Sequence, residues 1–207
     1  MFISLEGSEG CGKTSQVGRL AEYLRRRGYD VLTIREPGGT AIGEQIRNIL
    51  LNPENVDMDQ RTEILLFQAS RAQLVEQVIR PYLANGGVVI CDRYADSTLA
   101  YQGFGYQREL EAIKALIQFA TGGLKPDLTL LLDVDVEVGL ARRARGGQKN
   151  RLDVLDVSFY QRVRQGYLQM AQAEPERWVV IDAGKPANDV QQEIRRVVSA
   201  RLSAAAG

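Results

Sequence analysis

The segment Gly7-Ser8-Glu9-Gly10-Cys11-Gly12-Lys13-Thr14 constrains this chain more than any other. It fits the pattern G-x-x-x-x-G-K-[ST] and lies between an apolar run and an amphipathic one. Phe2-Ile3-Ser4-Leu5 ahead of it reads as a buried strand. Behind it, Val17, Leu20, Ala21 and Leu24 recur close to the 3.6-residue period, which predicts a helix over residues 15–27. A glycine loop at a helix N-terminus turns its backbone N–H groups and the positive end of the helix dipole toward a phosphate. Lys13 adds a full charge, and the Thr14 hydroxyl suits Mg2+.

Further along, strand and helix patterns alternate without a linker, a repeat or a low-complexity stretch. Val31 to Ile34, Val88 to Cys91, Leu128 to Val134 and Trp178 to Ile181 read as four more strands, making five. Their apolar runs are continuous, which predicts parallel strands covered on both faces. Helical periodicity falls near residues 41–51, 61–84, 109–120, 156–173 and 188–203. The expected fold is α/β: a doubly wound, five-stranded parallel sheet flanked by helices, forming one domain over residues 1–207. In such sheets ligands bind beyond the carboxyl ends of the strands.

Composition narrows the chemistry. Twenty-six basic residues balance 26 acidic ones, so no global field favours nucleic acid or an anionic membrane. No apolar run reaches the length of a membrane span and no signal peptide is apparent, so a cytoplasmic location is expected. The chain has no histidine, which excludes a histidine-based hydrolase and imidazole-ligated zinc. Cys11 and Cys91 fall in the loop and in a core strand, where reduced thiols are expected. Phosphoryl transfer remains open, because it depends chiefly on positioning and charge stabilisation. A phosphate acceptor is largely ionised at neutral pH and requires no strong general base.

Several residues fall where the sheet places ligands. Asp92 and Arg93 follow the third strand directly, so Asp92 is a candidate for Mg2+ and Arg93 for an anionic substrate; an ion pair capping the strand end accounts for them equally well alone, and the neighbouring phosphate loop favours the functional reading. Arg35, Glu36 and Pro37 end the second strand, where Pro37 and the following glycines make a tight turn. Phe67 and Arg71 lie one helical turn apart, suited to stacking a planar ring and donating to its edge. Leu65, Leu66, Leu74, Val78 and Ile79 give the same helix an apolar stripe, so on spacing alone core packing is the simpler account of Phe67. Arg142, Arg143, Arg145, Lys149 and Arg151 surround Gly146-Gly147, a composition that suits a short basic flap over transferring phosphates at about residues 142–152.

With these residues in view, the sequence resembles the thymidylate kinases, nucleoside monophosphate kinases of the P-loop class. The resemblance runs nearly end to end. It is carried by Phe2 to Thr14, by Arg35 to Thr40 (REPGGT), by Asp92 to Tyr94 with Ser97-Thr98 and Ala100 to Gly103, and by Pro126-Asp127. It implies transfer of the γ-phosphate of ATP to dTMP with Mg2+, usually by a homodimer packed through helices. By position, the resemblance gives ATP to the loop Gly7 to Thr14, with Lys13 on the donor phosphates and Thr14 and Asp92 on the metal. Arg35 and Arg93 would grip the acceptor phosphate, Glu9 would lie near the sugar 3'-hydroxyl, and Glu36, Pro37 and Ser97 fall in the same dTMP site. Phe67 would stack on thymine, Arg71 would donate to a thymine carbonyl, and Thr98 and Gln102 would contact the acceptor. Tyr101 would crowd the place of a ribose 2'-hydroxyl. The loop carries no basic residue at Glu9-Gly10-Cys11, matching the type that places its arginines in the flap, and Arg143, Arg145 and Arg151 are the catalytic candidates there. Alternatives are a kinase for another pyrimidine monophosphate or for a deoxynucleoside, with Glu36 as base. A GTPase is disfavoured because the chain contains no D-x-x-G and Leu124-Lys125-Pro126-Asp127 lacks the residue that opens a guanine-reading motif.

Overall fold

The computed structural model describes residues 1–146, 151 and 155–205. Five parallel strands form one sheet: β1 (Phe2–Glu6), β2 (Val31–Arg35), β3 (Val88–Asp92), β4 (Leu128–Asp133) and β5 (Trp178–Asp182), in the order β2-β3-β1-β4-β5. The fold is the one expected from the sequence. β1 lies at the centre, and the chain changes direction across the sheet on either side of it, so the loop after β1 opens at the switch point where such sheets bind ligands.

Alternate side chains of the strands enter different layers of the core. On one face Ile3, Leu5, Ile90 and Leu130 pack against α1 (Lys13–Arg25) and α9 (Ala187–Ala205). On the other, Phe2, Val89 and Cys91 meet Leu74, Val75 and Ile79, while Leu131 and Trp178 pack under α8 (Val157–Ala173). The outer strands depart from the expected burial on both faces. Thr33 of β2 is exposed and Val180 of β5 is 45% exposed, because an edge strand lacks cover that central strands receive.

The long helix expected over 61–84 is interrupted. α3 (Gln60–Leu74) passes through a π-helical segment (Val75–Ile79) into α4 (Arg80–Ala84). Pro81 has no N–H for the α-helical ladder, and the ladder changes register just before it. A helical stretch with no predicted counterpart follows β3: α5 (Ala95–Thr98) continues as a second π segment (Leu99–Gly105). α2 (Ala41–Leu51), α6 (Leu110–Thr121) and α7 (Val136–Arg145) complete the elements used below. Lys149 and flap residues 147–150 and 152 lie outside the described residues.

Candidate active site

The parallel register brings the site together. Arg35 pairs with Asp92, and Asp92 with Leu5, so the ends of β2, β3 and β1 stand in line beside the glycine loop. They open into a cleft of about 1200 Å³ lined by residues from the ends of β2 and β3, the glycine loop after β1, α3, α5 and α7.

The loop folds as its glycines require. Gly10 has φ 69°, and a Cβ there would lie 1.9 Å from the Gly139 carbonyl oxygen. The loop therefore rests directly on α7, the helix that leads into the flap. Gly12, in the left-handed region, caps α1 and leaves the helix N-terminus facing the cleft. Lys13 is buried against the loop, where its ammonium donates to Gly7 O and Ser8 O, each at 3.0 Å, and to Cys11 Sγ at 3.3 Å. Within the loop Gly7, Ser8 and Cys11 are buried, whereas Glu9, Gly10, Gly12, Lys13 and Thr14 line the cleft. The Thr14 hydroxyl donates to Asp92 Oδ2 at 2.6 Å. This hydroxyl–carboxylate pair offers the hard oxygen ligands that Mg2+ takes beside nucleotide phosphates.

Arg93 sits opposite, with φ 69°, a conformation uncommon for a residue with a side chain. Its guanidinium donates to Gly7 O at 3.0 Å, Glu9 Oε1 at 2.8 Å and the Tyr101 hydroxyl at 2.9 Å. It thus joins the loop and Glu9 rather than forming a cap on Asp92. Burial opposes the charge, but the oxygens of Tyr101, Glu9 and Tyr167 outweigh it and hold the pKa of Arg93 above the ordinary arginine value. Tyr101 also donates to Glu9 Oε1 at 3.0 Å. Arg35 reaches the cleft from β2 and bonds Glu44 at 3.3 Å.

Phe67 is half-buried on the cleft wall and belongs to none of the apolar clusters of the core. Leu65, one of the residues assigned to the apolar stripe, is 55% exposed. Arg71 is almost wholly buried and makes four hydrogen bonds, from Nε to Glu36 Oε2 at 2.8 Å, from Nη1 to Gln68 and Thr98, and from Nη2 to Tyr94 O, while Nη2 also forms an ion pair with Glu36 Oε2 at 2.6 Å. Glu36 Oε1 is buried without a hydrogen-bond partner, and burial raises the pKa of Glu36 against the opposing pull of Arg71. The Glu36–Pro37 bond is cis. Ser97, Thr98 and Gln102 line the same cleft, with Gln102 donating to Glu63 Oε1 at 2.7 Å.

The flap arginines separate. Arg143 lines the cleft and Arg145 is exposed at the end of α7. Arg151 is paired with the buried carboxylate of Glu63 and bonded to Leu50 O at 3.1 Å. Arg142 lines the cleft and donates to Ala183 O at 2.9 Å. Sequence reasoning missed three buried carboxylates, Glu6, Glu63 and Asp96, the last paired with Arg177 at 2.6 Å. Glu6 had a signal: it is an acid ending an apolar strand, directly before the loop. Glu63 had none, since it lies among polar residues at the start of a helix.

The family model for thymidylate kinase matches residues 5–194, across the loop, the cleft and the flap. The chain belongs to the thymidylate kinase family. It is 50% identical over 201 residues to a thymidylate kinase of Deinococcus radiodurans, covering 97% of each chain. It is also 50% identical over 194 residues to a thymidylate kinase of Pseudomonas putida, covering 94% of each. The fold matches the crystal structure of thymidylate kinase from Ehrlichia chaffeensis with a TM-score of 0.80 at 35% identity, over 96% of this chain and 98% of that one.

Proposed function

We propose that this chain transfers the γ-phosphate of ATP to dTMP, giving dTDP and ADP for dTTP synthesis, as a single nucleoside monophosphate kinase domain with its flap at about residues 142–152. The observation that carries the reading is one cleft holding the loop with Lys13 on one wall and Arg93, Phe67 and Tyr101 on another. In the transfer an acceptor phosphate oxygen bonds the γ-phosphorus while the bond from that phosphorus to the β–γ bridging oxygen breaks. The acceptor oxygen is already ionised, so no side chain need remove a proton.

The obstacle is charge, because both substrates are anions. At about 4 Å a pair of unit charges near a protein surface interacts with about 4 kcal/mol, so a few fixed cations offset the repulsion. Lys13 and the loop amides hold the donor phosphates, Arg93 and Arg35 the acceptor phosphate, and Arg143 faces the gap between them. Glu9, bonded to Arg93 and Tyr101, faces the sugar, and Tyr101 fills the place of a 2'-hydroxyl. Phe67 stacks on thymine beside Arg71, Thr98 and Gln102, while Glu36 and Pro37 close the wall. Thr14 and Asp92 would hold Mg2+, which supplies charge neutralisation on the phosphates when bound. Arg145 and Arg151 belong to the flap side of the site.

The active species is a homodimer. Its support is the run of exposed apolar side chains Ile42, Ile49, Leu65 and Phe119 on α2, α3 and α6. A solution mass of one 23.0 kDa chain would contradict this. Among the described residues no helix is long and apolar enough to cross a membrane, and the proposed location is the cytoplasm. An acceptor panel with ATP and Mg2+, comparing dTMP, dUMP, UMP, dCMP and thymidine by ADP release, tests the substrate. Preference for dTMP is expected, and preference for thymidine or UMP would replace the reading.

A further inference from the structure

We infer that Glu6 is a positioning residue for the reaction: from behind, it holds Arg93 in place for the acceptor phosphate through the Ser97 and Tyr167 hydroxyls and the Tyr94 amide. This rests on the reading of Arg93 given above.

Glu6 ends β1 and is fully buried. Its Oε1 accepts from Tyr94 N at 2.7 Å, and its Oε2 accepts from Ser97 Oγ at 2.6 Å and from the Tyr167 hydroxyl at 3.0 Å. Those two hydroxyl oxygens each lie 3.3 Å from Arg93 Nη1 and 2.8 Å from each other. A hydroxyl has one proton. When both protons point to the carboxylate, both oxygens present lone pairs to the guanidinium, and Glu6 thereby sets the polarity of the pair. The Tyr94 amide fixes the backbone just after Arg93, whose φ of 69° needs support from its surroundings. Arg93 N itself donates to Leu5 O at 3.1 Å, one residue before Glu6.

A neutral Glu6 changes this order. Its O–H donates to one hydroxyl, which must then turn its own proton away from Glu6 and toward the guanidinium or the neighbouring oxygen. The hold on Nη1 weakens, although the packing is unchanged. The charged and titratable groups facing Glu6 are Asp96 of α5, itself paired with Arg177 at 2.6 Å, Arg93, Arg71 of α3, Cys91 of β3 and Tyr167 of α8. Burial first, and the Asp96 charge second, raise the pKa of Glu6 to about 7. The carboxyl therefore changes charge in the range where the enzyme would work.

The test compares kcat/KM for dTMP, at saturating ATP and Mg2+, between the wild type and Glu6→Gln from about pH 5.5 to about pH 8.5. Taking the ratio cancels the ionisation of the dTMP phosphate, which is common to both. The expected ratio is about 10-fold at the alkaline end, the worth of one hydrogen bond to a charged group, and it arises in KM for dTMP with KM for ATP unchanged. It falls to within about 2-fold at the acid end, where a protonated carboxyl and an amide are both neutral, with its midpoint near the raised pKa. A ratio that stays constant with pH, or equals one at alkaline pH, overturns the inference. If Glu6→Gln does not fold, Ser97→Ala and Tyr167→Phe decide: each should raise KM for dTMP but not for ATP, and an unchanged KM for dTMP in both overturns it. Arg93→Ala separates the two levels. If it leaves KM for dTMP unchanged, the reading of Arg93 falls and the inference with it; if it raises KM while the Glu6→Gln ratio stays flat, only the inference falls.

Discussion

Phe67→Ala distinguishes a binding wall from a core residue, because the two roles predict opposite pairs of effects. Phe67 is half-buried, lines the cleft and lies outside the apolar clusters. Truncating a Phe in a packed core costs about 3–5 kcal/mol of stability, through lost transfer energy and the cavity left behind. A side chain already facing solvent on one side loses only part of the transfer term, so a loss of about 1 kcal/mol is expected. Stacking of a base on an aromatic ring is worth about 1–3 kcal/mol, which weakens dTMP binding by about 5- to 150-fold. Urea unfolding gives the first quantity, and calorimetric titration with dTMP gives the second. A stability loss above about 3 kcal/mol together with an unchanged dTMP affinity would refute the assignment.

Three further outcomes follow from the same geometry. Lys13→Ala removes an ammonium bonded to Gly7 O and Ser8 O, and turnover in a coupled ADP assay should fall by about 100-fold or more; near-full activity would contradict the electrostatic account. Arg71→Met leaves Glu36 buried without its cation and should cost about 3–5 kcal/mol by chemical unfolding near neutral pH, with a smaller loss in acid, where Glu36 takes up a proton; a loss under about 1 kcal/mol would show that the pair adds little. Glu6 binds its proton more tightly in the folded chain than in the unfolded one, since its pKa rises from 4.5 to about 7. Its contribution is therefore fully present below the unfolded value and is lost as pH rises toward 7. The wild type should lose about 3 kcal/mol across that window relative to Glu6→Gln, and a flat difference would contradict the assigned burial.

The sheet was legible because central parallel strands are covered on both faces, so Ile3, Leu5, Val89, Ile90, Leu130 and Leu131 leave continuous apolar runs. The loop was legible because its chemistry is local: glycines, a lysine and a threonine at fixed spacing. Edge exposure was not, since Thr33 and Val180 differ from central residues only in what lies beside them. The helical stretch from Ala95 to Gly105 was also hidden. It is buried on most sides through small and polar residues, Asp96, Thr98, Ala100, Gln102 and Gly103 among them, and leaves no apolar stripe to count. The candidate ligands Arg35, Asp92 and Arg93 were found from their places at strand ends. The groups behind them, Glu6 bonded to Ser97 and Tyr167, Tyr167 bonded to Arg93, and Glu63 bonded to Gln102, come from distant segments, and only the folded chain brings them within hydrogen-bond reach.

In the proposed mechanism fixed cations and amides deliver one phosphoryl group from ATP to dTMP without a proton-abstracting side chain. Single-turnover reaction with γ-labelled ATP, Mg2+ and dTMP, followed by separation of the nucleotides, tests it most directly. Label should appear in dTDP in an amount equal to the ADP formed. Label released as orthophosphate, or carried by thymidine in place of dTMP when both are offered, would contradict it.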